Sequence, residues 1–377
     1  RLSYRLTGNY RGPVEGQARV EWRLAGNRYQ VSLEVGIGPP FAPLVTRQIQ
    51  SDGLVTAAGL EPRRYDEETQ VVLRAPRRLT ITLDPDRVAA DARTIALGGD
   101  RGEVELRDAE TGKLTRRLVG HQGTVRSVSF SPNGARLLTG GDDCVARLWD
   151  VTSGHEAFTL RGHVGSVRAA LFVPTQMLVL TAGDDRVIRL WDADSGAPRR
   201  TLAVLPFNVV SLRLSPDERW LAALCRDGTV WLWTTSSWLQ VRSFAAHHIA
   251  TSPETETGAL AFSPDGRWLA TGGADHCVRL WQVTTGQLQR EFTGHAGAIL
   301  AAVFSPDGKR LVTASQDHLI RFWDLAGNEE VFSLKTHQSA VQALAFSPQG
   351  QLLFSGDADG ALCLHRAAIP SAAPAHP

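Results

Sequence analysis

Hydrophobic and polar positions alternate along short segments that recur at a fixed interval through most of the chain. Within residues 120–161, four such segments are separated by turn residues, and they read TVRSVSF, ARLLTGG, VARLWD and HEAFTLR. Alternation over runs of this length is typical of β-strands with one buried face. The pattern therefore predicts a unit of four short strands, and the same pattern returns in the units that follow.

One aromatic or imidazole side chain marks the end of the third strand in each unit. These side chains are Trp149, Trp191, Trp233, Trp281, Trp323 and His365. Successive members lie 42, 42, 48, 42 and 42 residues apart. A fixed period of this length indicates a repeat architecture, in which each unit buries its apolar face against the next one.

The turn between the first two strands recurs with the same period. Its letters are SPNG at 131–134, SPDE at 215–218, SPDG at 263–266 and 305–308, and SPQG at 347–350. Proline in second place and glycine near the end suit a tight turn. With four strands per unit, these motifs resemble the WD-repeat family of β-propellers over residues 69–366. The resemblance implies an all-β fold of seven four-stranded blades in a closed ring.

Six clear units and one weaker unit account for the seven blades. The clear units begin at His121, His163, about Leu205, His247, His295 and His337. The weaker unit precedes them, because TIALGGDRGEVELRD at 94–108 aligns without a gap with residues 136–150 and has Arg107 in the tryptophan position.

The two ends of the array predict how the ring closes. The last unit ends at ALCLHRA, and its fourth strand would fall in SAAPAHP, a sequence that pairs poorly in a sheet. TQVVLRAP at 69–76 is rich in strand-forming residues and precedes the first unit at the spacing that the repeat period requires of a strand. We therefore expect it to close the last blade as its outer strand. A small antiparallel β segment at 1–68 is expected to precede the seven-bladed propeller at 69–366, and the Ala/Pro tail at 367–377 is expected to be disordered.

A set of four residue types recurs in several units. The sets are His121, Thr139, Asp143 and Trp149; His163, Thr181, Asp185 and Trp191; His247, Thr271, Asp275 and Trp281; and His295, Thr313, Asp317 and Trp323. A hydroxyl, an imidazole and a carboxylate together suggest a hydrolase, but an enzyme needs one activated nucleophile and not four equal copies. The resemblance implies that each set is a buried hydrogen-bond network. We therefore predict no catalytic residue.

Three units depart from this set. One has Ala223 and Leu205 in the Thr and His positions but keeps Asp227 and Trp233. The last has His337, Ser355 and Asp359, with His365 in place of Trp, and the weak first unit has Leu97, Arg101 and Arg107 in the corresponding positions. We expect the blades formed by these units to lack the network and to be the least stable ones.

Candidate partner-binding residues are those that the repeat phase places at the narrow face around the channel. They are Asp142, Asp184, Arg226 and Gln316, which precede the turn aspartates, and Arg126, Arg168 and Gln342, which follow the histidines by five positions. His248 joins them, because it lies in the insertion at 246–258 that breaks the 42-residue period. Mixed charge of this kind favours a protein or peptide partner over a polyanion. An ordinary solvated rim is the alternative interpretation.

Residues 1–82 resemble part of a β-rich family of unknown function from bacterial cell envelopes, through VGIGPPFAPLVTRQIQSDG, GLEPRRYDEE and LRAPRRLTITLD. This resemblance implies a second function: an envelope-associated sensor or assembly factor in which the front segment carries the specific role. The first hypothesis is a non-catalytic scaffold for protein or peptide binding. We expect a cytoplasmic protein under the first hypothesis, and a periplasmic or envelope protein under the second.

Composition and charge argue against several classes of protein. The net charge of +1 over 377 residues argues against a nucleic-acid partner. No apolar run reaches the length of roughly 18 residues that a membrane span needs. The four cysteines fall in four different units and suggest a reduced protein. We expect no metal and no cofactor, since no ligand spacing or nucleotide fingerprint occurs, and we expect a monomer.

Overall fold

The computed structural model describes residues 2–9, 13–25, 28–37, 45–56, 59–71, 80–83, 94–108, 113–247, 258–347, 350 and 352–366. Five strands come first and pair in order as an antiparallel meander. They are β1 (Leu2–Asn9), β2 (Pro13–Ala25), β3 (Arg28–Ile37), β4 (Val45–Thr56) and β5 (Gly59–Val71).

Six four-stranded antiparallel sheets form blades 1 to 6. Blade 1 contains β6 (Thr80–Leu83), β7 (Thr94–Gly98), β8 (Glu103–Asp108) and β9 (Leu114–Val119). Blade 2 contains β10 (Val125–Phe130), β11 (Arg136–Gly141), β12 (Val145–Asp150) and β13 (Glu156–Arg161). Blade 3 contains β14 (Val167–Val173), β15 (Leu178–Gly183), β16 (Val187–Asp192) and β17 (Pro198–Val204), with a short 3-10 helix, Pro174–Gln176, between β14 and β15.

The second half of the array follows the same order. Blade 4 contains β18 (Val209–Leu214), β19 (Trp220–Cys225), β20 (Thr229–Thr234) and β21 (Leu239–Ala245). Blade 5 contains β22 (Ala259–Phe262), β23 (Trp268–Gly272), β24 (Val278–Gln282) and β25 (Leu288–Phe292). Blade 6 contains β26 (Ile299–Phe304), β27 (Arg310–Ser315), β28 (Ile320–Asp324) and β29 (Glu329–Leu334), and blade 7 begins with β30 (Val341–Phe346), β31 (Leu352–Asp357) and β32 (Leu362–Arg366).

The outer strand of blade 7 comes from the other end of the chain. β5 pairs with β32 through Thr69 with Leu364 and Glu68 with His365, so the front meander continues the last blade as one eight-stranded sheet. The predicted closing strand spans residues 69–76, whereas the observed strand β5 spans Gly59–Val71. Residues 72–76 and the tail at 367–377 lie outside the described residues. The domain limits at residues 68 and 366 therefore stay predictions.

The innermost strands form the ring. β6, β10, β14, β18, β22, β26 and β30 contact one another in succession, and β30 also contacts β6. The chain therefore folds as a closed seven-bladed β-propeller of four-stranded blades, as predicted.

Each interface between blades has its own buried apolar cluster. Between blades 3 and 4, for example, Leu180 and Ile188 pack with Val209, Leu221 and Trp233. Corresponding clusters lie at the other interfaces, including the one between blades 7 and 1, where Phe354 packs with Ile95 and Leu97. Burial of each large apolar side chain contributes about 1.5–3 kcal/mol, so this packing holds neighbouring blades in a fixed relation.

Candidate functional site

One face of the ring is built from two elements of each blade. These are the turn between the second and third strands and the loop that leads into the first strand. A backbone hydrogen bond of 2.8–3.0 Å joins them in five blades. Its donors are the N–H groups of Asp142, Asp184, Arg226, Gln316 and Ala358, and its acceptors are the carbonyls of Thr124, Ser166, Asn208, Ala298 and Ala340, respectively. We call this surface, defined by those ten residues and their loops, the turn face.

Four of the predicted partner-binding residues form two ion pairs on the turn face. Arg126 donates to both carboxylate oxygens of Asp142 at 2.6 and 2.7 Å. In the next blade Arg168 donates to Asp184 at 2.9–3.1 Å. Both pairs are mostly buried, since the arginine side chains are 14% and 13% exposed and the aspartates 25%. Their charges are therefore largely satisfied within one blade.

These pairs also connect neighbouring blades. The side-chain amide of Asn208 in blade 4 donates to Asp184 in blade 3 at 3.2 Å. Burial alone would raise the pKa of Asp142, but the Arg126 guanidinium and the Ser166 and Thr124 hydroxyls hold it below its usual range. The first role of these aspartates is thus to join loops across the blade boundary.

The other predicted residues differ in accessibility. Arg226 and Gln316 are exposed on the turn face. Gln342 is half-buried, and its side-chain Oε1 has no hydrogen-bond partner among the residues that the structure describes. His248 lies outside the described residues. The partner-binding role of all eight residues stays a prediction.

Beneath the turn face, the four recurring sets form identical chains of hydrogen bonds. The Trp Nε1–H donates to the Thr Oγ1 at 2.7–2.9 Å. The same hydroxyl lies 2.7–2.9 Å from the His Nε2. The His Nδ1 in turn lies 2.8–2.9 Å from an Asp carboxylate oxygen. Each chain ties the second and third strands of a blade, and the turn between them, to the loop that holds its histidine.

Donor and acceptor chemistry determines where the protons lie in blade 2. Trp149 can only donate, so the Thr139 oxygen accepts and its hydrogen points to Nε2 of His121. Nδ1 then carries the ring proton and donates to Asp143. Burial lowers the pKa of His121, whereas burial alone would raise that of Asp143 and the bond from His121 holds it low. A neutral imidazole beside a carboxylate satisfies every group, and buried networks rigidify a fold when fully satisfied.

A family model described as WD domain, G-beta repeat, matches six segments of the chain. They are residues 112–150, 154–192, 199–234, 238–282, 286–324 and 328–366. Together the six segments cover more than half of the 377 residues. The chain belongs to the WD-repeat family. Propellers of this family are commonly protein-interaction scaffolds and are generally non-catalytic. A comparison with curated proteins gives no match.

The matched WD repeats are offset from the blades. Residues 112–150 contain β9, the outer strand of blade 1, followed by the three inner strands of blade 2. Every later repeat straddles two blades in the same way. The last one ends at residue 366 with β32, so blade 7 needs an outer strand from elsewhere, and β5 supplies it. The offset therefore makes ring closure depend on a strand that precedes the repeats.

In the last WD repeat, the predicted carboxylate partner of the histidine, Asp359, is wrong. His337 Nδ1 lies 2.9 Å from Asp357, and not beside Asp359, which is exposed. Asp357 pairs across from Val341 just as Gly141 pairs across from Val125 in blade 2. A side chain at that strand position reaches the imidazole first.

The rest of the network in this repeat is also altered. Ser355 Oγ lies 2.7 Å from Nε2 of His337 and 2.8 Å from Nε2 of His365, so a hydrogen-bonded chain exists even without tryptophan. Burial alone would lower the pKa of His337, but Asp357 and Cys363 raise it to about 9. The expectation that this blade lacks a network is therefore wrong.

The two other departing blades lack the full set, as expected, but each has a substitute. In blade 1, Arg107 donates to Glu105 at 2.6 and 2.9 Å, and both side chains are buried. Arg117 pairs with the second oxygen of Glu105 at 3.0 Å. In blade 4, Asp227 instead accepts from the backbone and the hydroxyl of Thr229 at 3.0 and 2.6 Å. The relative stability of these blades stays a prediction.

Sequence reasoning missed an arginine beside the histidine–aspartate pair. Arg279 donates to Asp275 at 2.5 Å and to Glu291 at 2.8 Å, and Arg147 pairs with Asp143 and Glu156. The signal was the arginine two residues before the tryptophan, at Arg147, Arg189, Arg279 and Arg321. These ion pairs connect the network to the outer strand of the blade.

The described part of the chain has neither a metal-binding cluster nor a membrane-spanning helix. No group of three or more His, Cys, Asp and Glu side chains among those residues is arranged to hold a metal ion. None of their helices has the length and apolar character of a bilayer span. None of the four cysteines, Cys144, Cys225, Cys277 and Cys363, forms a disulfide.

Proposed function

We propose that the chain is a non-catalytic scaffold whose turn face binds a protein or peptide partner. The observation that carries this proposal is the difference in burial between two layers, the hydrogen-bond networks beneath the turn face and the polar side chains on it. The histidine–aspartate networks are buried, whereas Arg226 and Gln316 are exposed at the corresponding turns of blades 4 and 6. Polar groups on loops held by a rigid frame are typical of binding surfaces.

Several features support a scaffold over an enzyme. The His, Thr and Asp groups that would make a nucleophile and base occur in four equivalent copies. In each copy the threonine hydroxyl is fully buried. A reacting carbonyl must reach within about 3 Å of an activated nucleophile, and a fully buried hydroxyl does not offer that access. The location of the protein, cytoplasmic or at the cell envelope, and its monomeric state stay predictions.

The test is selection of peptides from a random display library on the immobilised chain, followed by binding measurements with variants. Arg226→Ala combined with Gln316→Ala should weaken the selected peptides. Arg219→Ala is the matched control, because Arg219 is an exposed arginine at the opposite end of β19 from Arg226. Selected peptides that bind all three proteins equally would show that the turn face is not the binding surface.

A further inference from the structure

Two neighbouring blades present large apolar side chains to solvent on the turn face. Val164 is 87% exposed in the loop before β14, Val204 is 70% exposed at the end of β17, and Phe207 is 46% exposed in the loop before β18. The loops that lead into blades 2, 6 and 7 have Gln122, Ala296 and Gln338 directly after the histidine. Grouped exposed apolar side chains commonly mark an interaction site.

Backbone contacts place these side chains in one continuous patch. The Val164 N–H donates to the Asp185 carboxylate at 3.3 Å, and the Leu205 N–H donates to the Arg186 carbonyl at 2.8 Å. The Arg226 N–H donates to the Asn208 carbonyl, also at 2.8 Å. The loops therefore follow one another across the turns of blades 3 and 4. We define the Phe207 patch as Val164, Val204, Phe207, Arg186 and Arg226.

The exposed charges of this region are all positive. In the segments 161–166, 183–187, 204–208 and 225–229, every exposed charged side chain is an arginine: Arg161, Arg186 and Arg226. The carboxylates in these segments have partners already. Asp185 receives a hydrogen bond from His163, Asp184 is paired with Arg168, and Asp227 accepts from Thr229.

Arg186 is an exposed cation of the patch. Among the residues that the structure describes, no carboxylate forms an ion pair with it, and its side chain is exposed. Its backbone lies in the left-handed region, at φ 66°. The tight turn therefore fixes the base of the side chain while the guanidinium stays available.

We propose that the Phe207 patch binds an acidic peptide segment that carries apolar side chains, an inference that rests on the proposed turn-face function. The guanidinium of Arg186 offers forked donors that match a carboxylate, and Arg226 adds positive charge beside it. Val164, Val204 and Phe207 offer the apolar contact that anchors such a segment between them. A nucleic acid would use the same cations, but Phe207 is the one aromatic side chain of the patch, and the valines beside it give no platform on which successive bases could stack.

Fluorescence anisotropy with four labelled probes tests the ligand chemistry. The first peptide alternates Glu with Leu and Phe, the second has Lys in place of Glu, and the third has Ser in place of Leu and Phe. The fourth probe is an oligo-dT strand. We expect the first peptide to bind best and its affinity to fall as salt is raised, because charge attraction is screened. Equal or tighter binding of any other probe would overturn the proposal.

Variants test the location. Arg186→Glu combined with Arg226→Glu should weaken the first peptide about ten-fold or more, because it places like charges against the ligand. Phe207→Ala combined with Val164→Ala should also weaken it. The control is His318→Glu combined with Arg219→Glu. His318 occupies the same turn position in blade 6 at φ 68°, and Arg219 is exposed on the opposite side of blade 4. An unchanged affinity in the first variant, or an equal loss in the control, would refute the patch.

Failure of the acidic-ligand proposal can be distinguished from failure of the proposed scaffold function. If the display selection yields peptides that depend on Arg226 and Gln316 but lack acidic residues, the scaffold function stands and the acidic ligand is wrong. If no selected peptide depends on the turn face and the acidic peptide does not bind, both proposals fail.

Discussion

Blades 2 and 7 share one backbone plan but use it with different chemistry. In blade 2 a tryptophan, a threonine, a neutral histidine and Asp143 form a chain with one direction of donation. In blade 7 both ends of the chain are ionisable, since His365 takes the tryptophan position and Asp357 meets His337 from within strand β31. The comparison teaches that a buried hydrogen-bonded chain at this place in a blade can be built from more than one set of residues.

The altered network of blade 7 lies next to the ring closure. Blade 2 is completed by its own outer strand β13, whereas blade 7 is completed by β5 from the front of the chain. β32, the strand that carries His365, is therefore the strand that pairs with β5. A change in the network of blade 7 acts directly on the strand that holds the two chain ends together.

The largest expected effect comes from the tryptophan. Trp149→Ala should reduce the free energy of unfolding by about 3–5 kcal/mol, because it removes a buried aromatic side chain and the donor to Thr139. His365→Ala should cost less, since the imidazole is smaller. Urea denaturation followed by fluorescence and circular dichroism measures both. A larger loss for His365→Ala would mean that closure, and not packing, limits stability.

The second effect is a pH dependence with opposite signs in the two blades. The pKa of His337 is raised to about 9 in the folded protein from a reference value of 6.5. Its stabilising contribution, about 2–4 kcal/mol, is therefore complete below pH 6.5 and is lost as pH rises through about 9. Burial lowers the pKa of His121, so the contribution of neutral His121 is instead lost as pH falls below about 6.5.

Denaturation at several pH values with His337→Gln and His121→Gln separates the two contributions. The wild-type protein should lose stability relative to His337→Gln between pH 6.5 and pH 9.5. Cys363 lies 3.9 Å from Nδ1 of His337, so Cys363→Ala should keep most of this difference if the bond to Asp357 carries it. Parallel pH curves for the wild-type protein and His337→Gln would contradict the prediction.

A third prediction concerns the two aspartates of the last turn. Asp357→Asn should cost about 2–3 kcal/mol, because Asp357 is buried and accepts from His337 and from the backbone N–H groups of Asp359 and Ala361. Asp359→Asn should change stability by less than about 0.5 kcal/mol, as exposed substitutions usually do. Thermal melts at neutral pH suffice to rank the two. The reverse order would restore the assignment that alignment by period suggests.

Most of the frame could be predicted because a repeat shows the same physical solution several times. The repeat period places Trp149 and Thr139, and their counterparts, on strands that pair side by side. The hydrogen-bond network can therefore be predicted from the period. Asp357 could not be found this way, because phase puts Asp359 in the usual carboxylate position. A Cβ at Gly141 would lie 2.6 Å from Nδ1 of His121, and this short approach explains why an aspartate at the equivalent position reaches the imidazole first.

The partner surface is less predictable for a different reason. Alignment by period selects equivalent positions in the blades, and at two of these positions Asp142 and Asp184 are paired inside the blade. The exposed apolar side chains of the Phe207 patch, Val164, Val204 and Phe207, have no counterpart in most blades, so no repeat signal marks them. Only the structure shows that Val164 and Phe207 remain uncovered.

The smallest expected effect tests whether the ion pair on the turn face belongs to the frame or to the binding surface. Blade 2 has Arg126 and Asp142 where blade 7 has Gln342 and Ala358. A double-mutant cycle with Arg126→Ala and Asp142→Ala should give a coupling of about 1 kcal/mol, because the pair is bidentate and mostly buried. Gln342→Ala is the matched control and should change stability by less than about 0.5 kcal/mol. A coupling near zero would contradict a stabilising role of this ion pair in the blade.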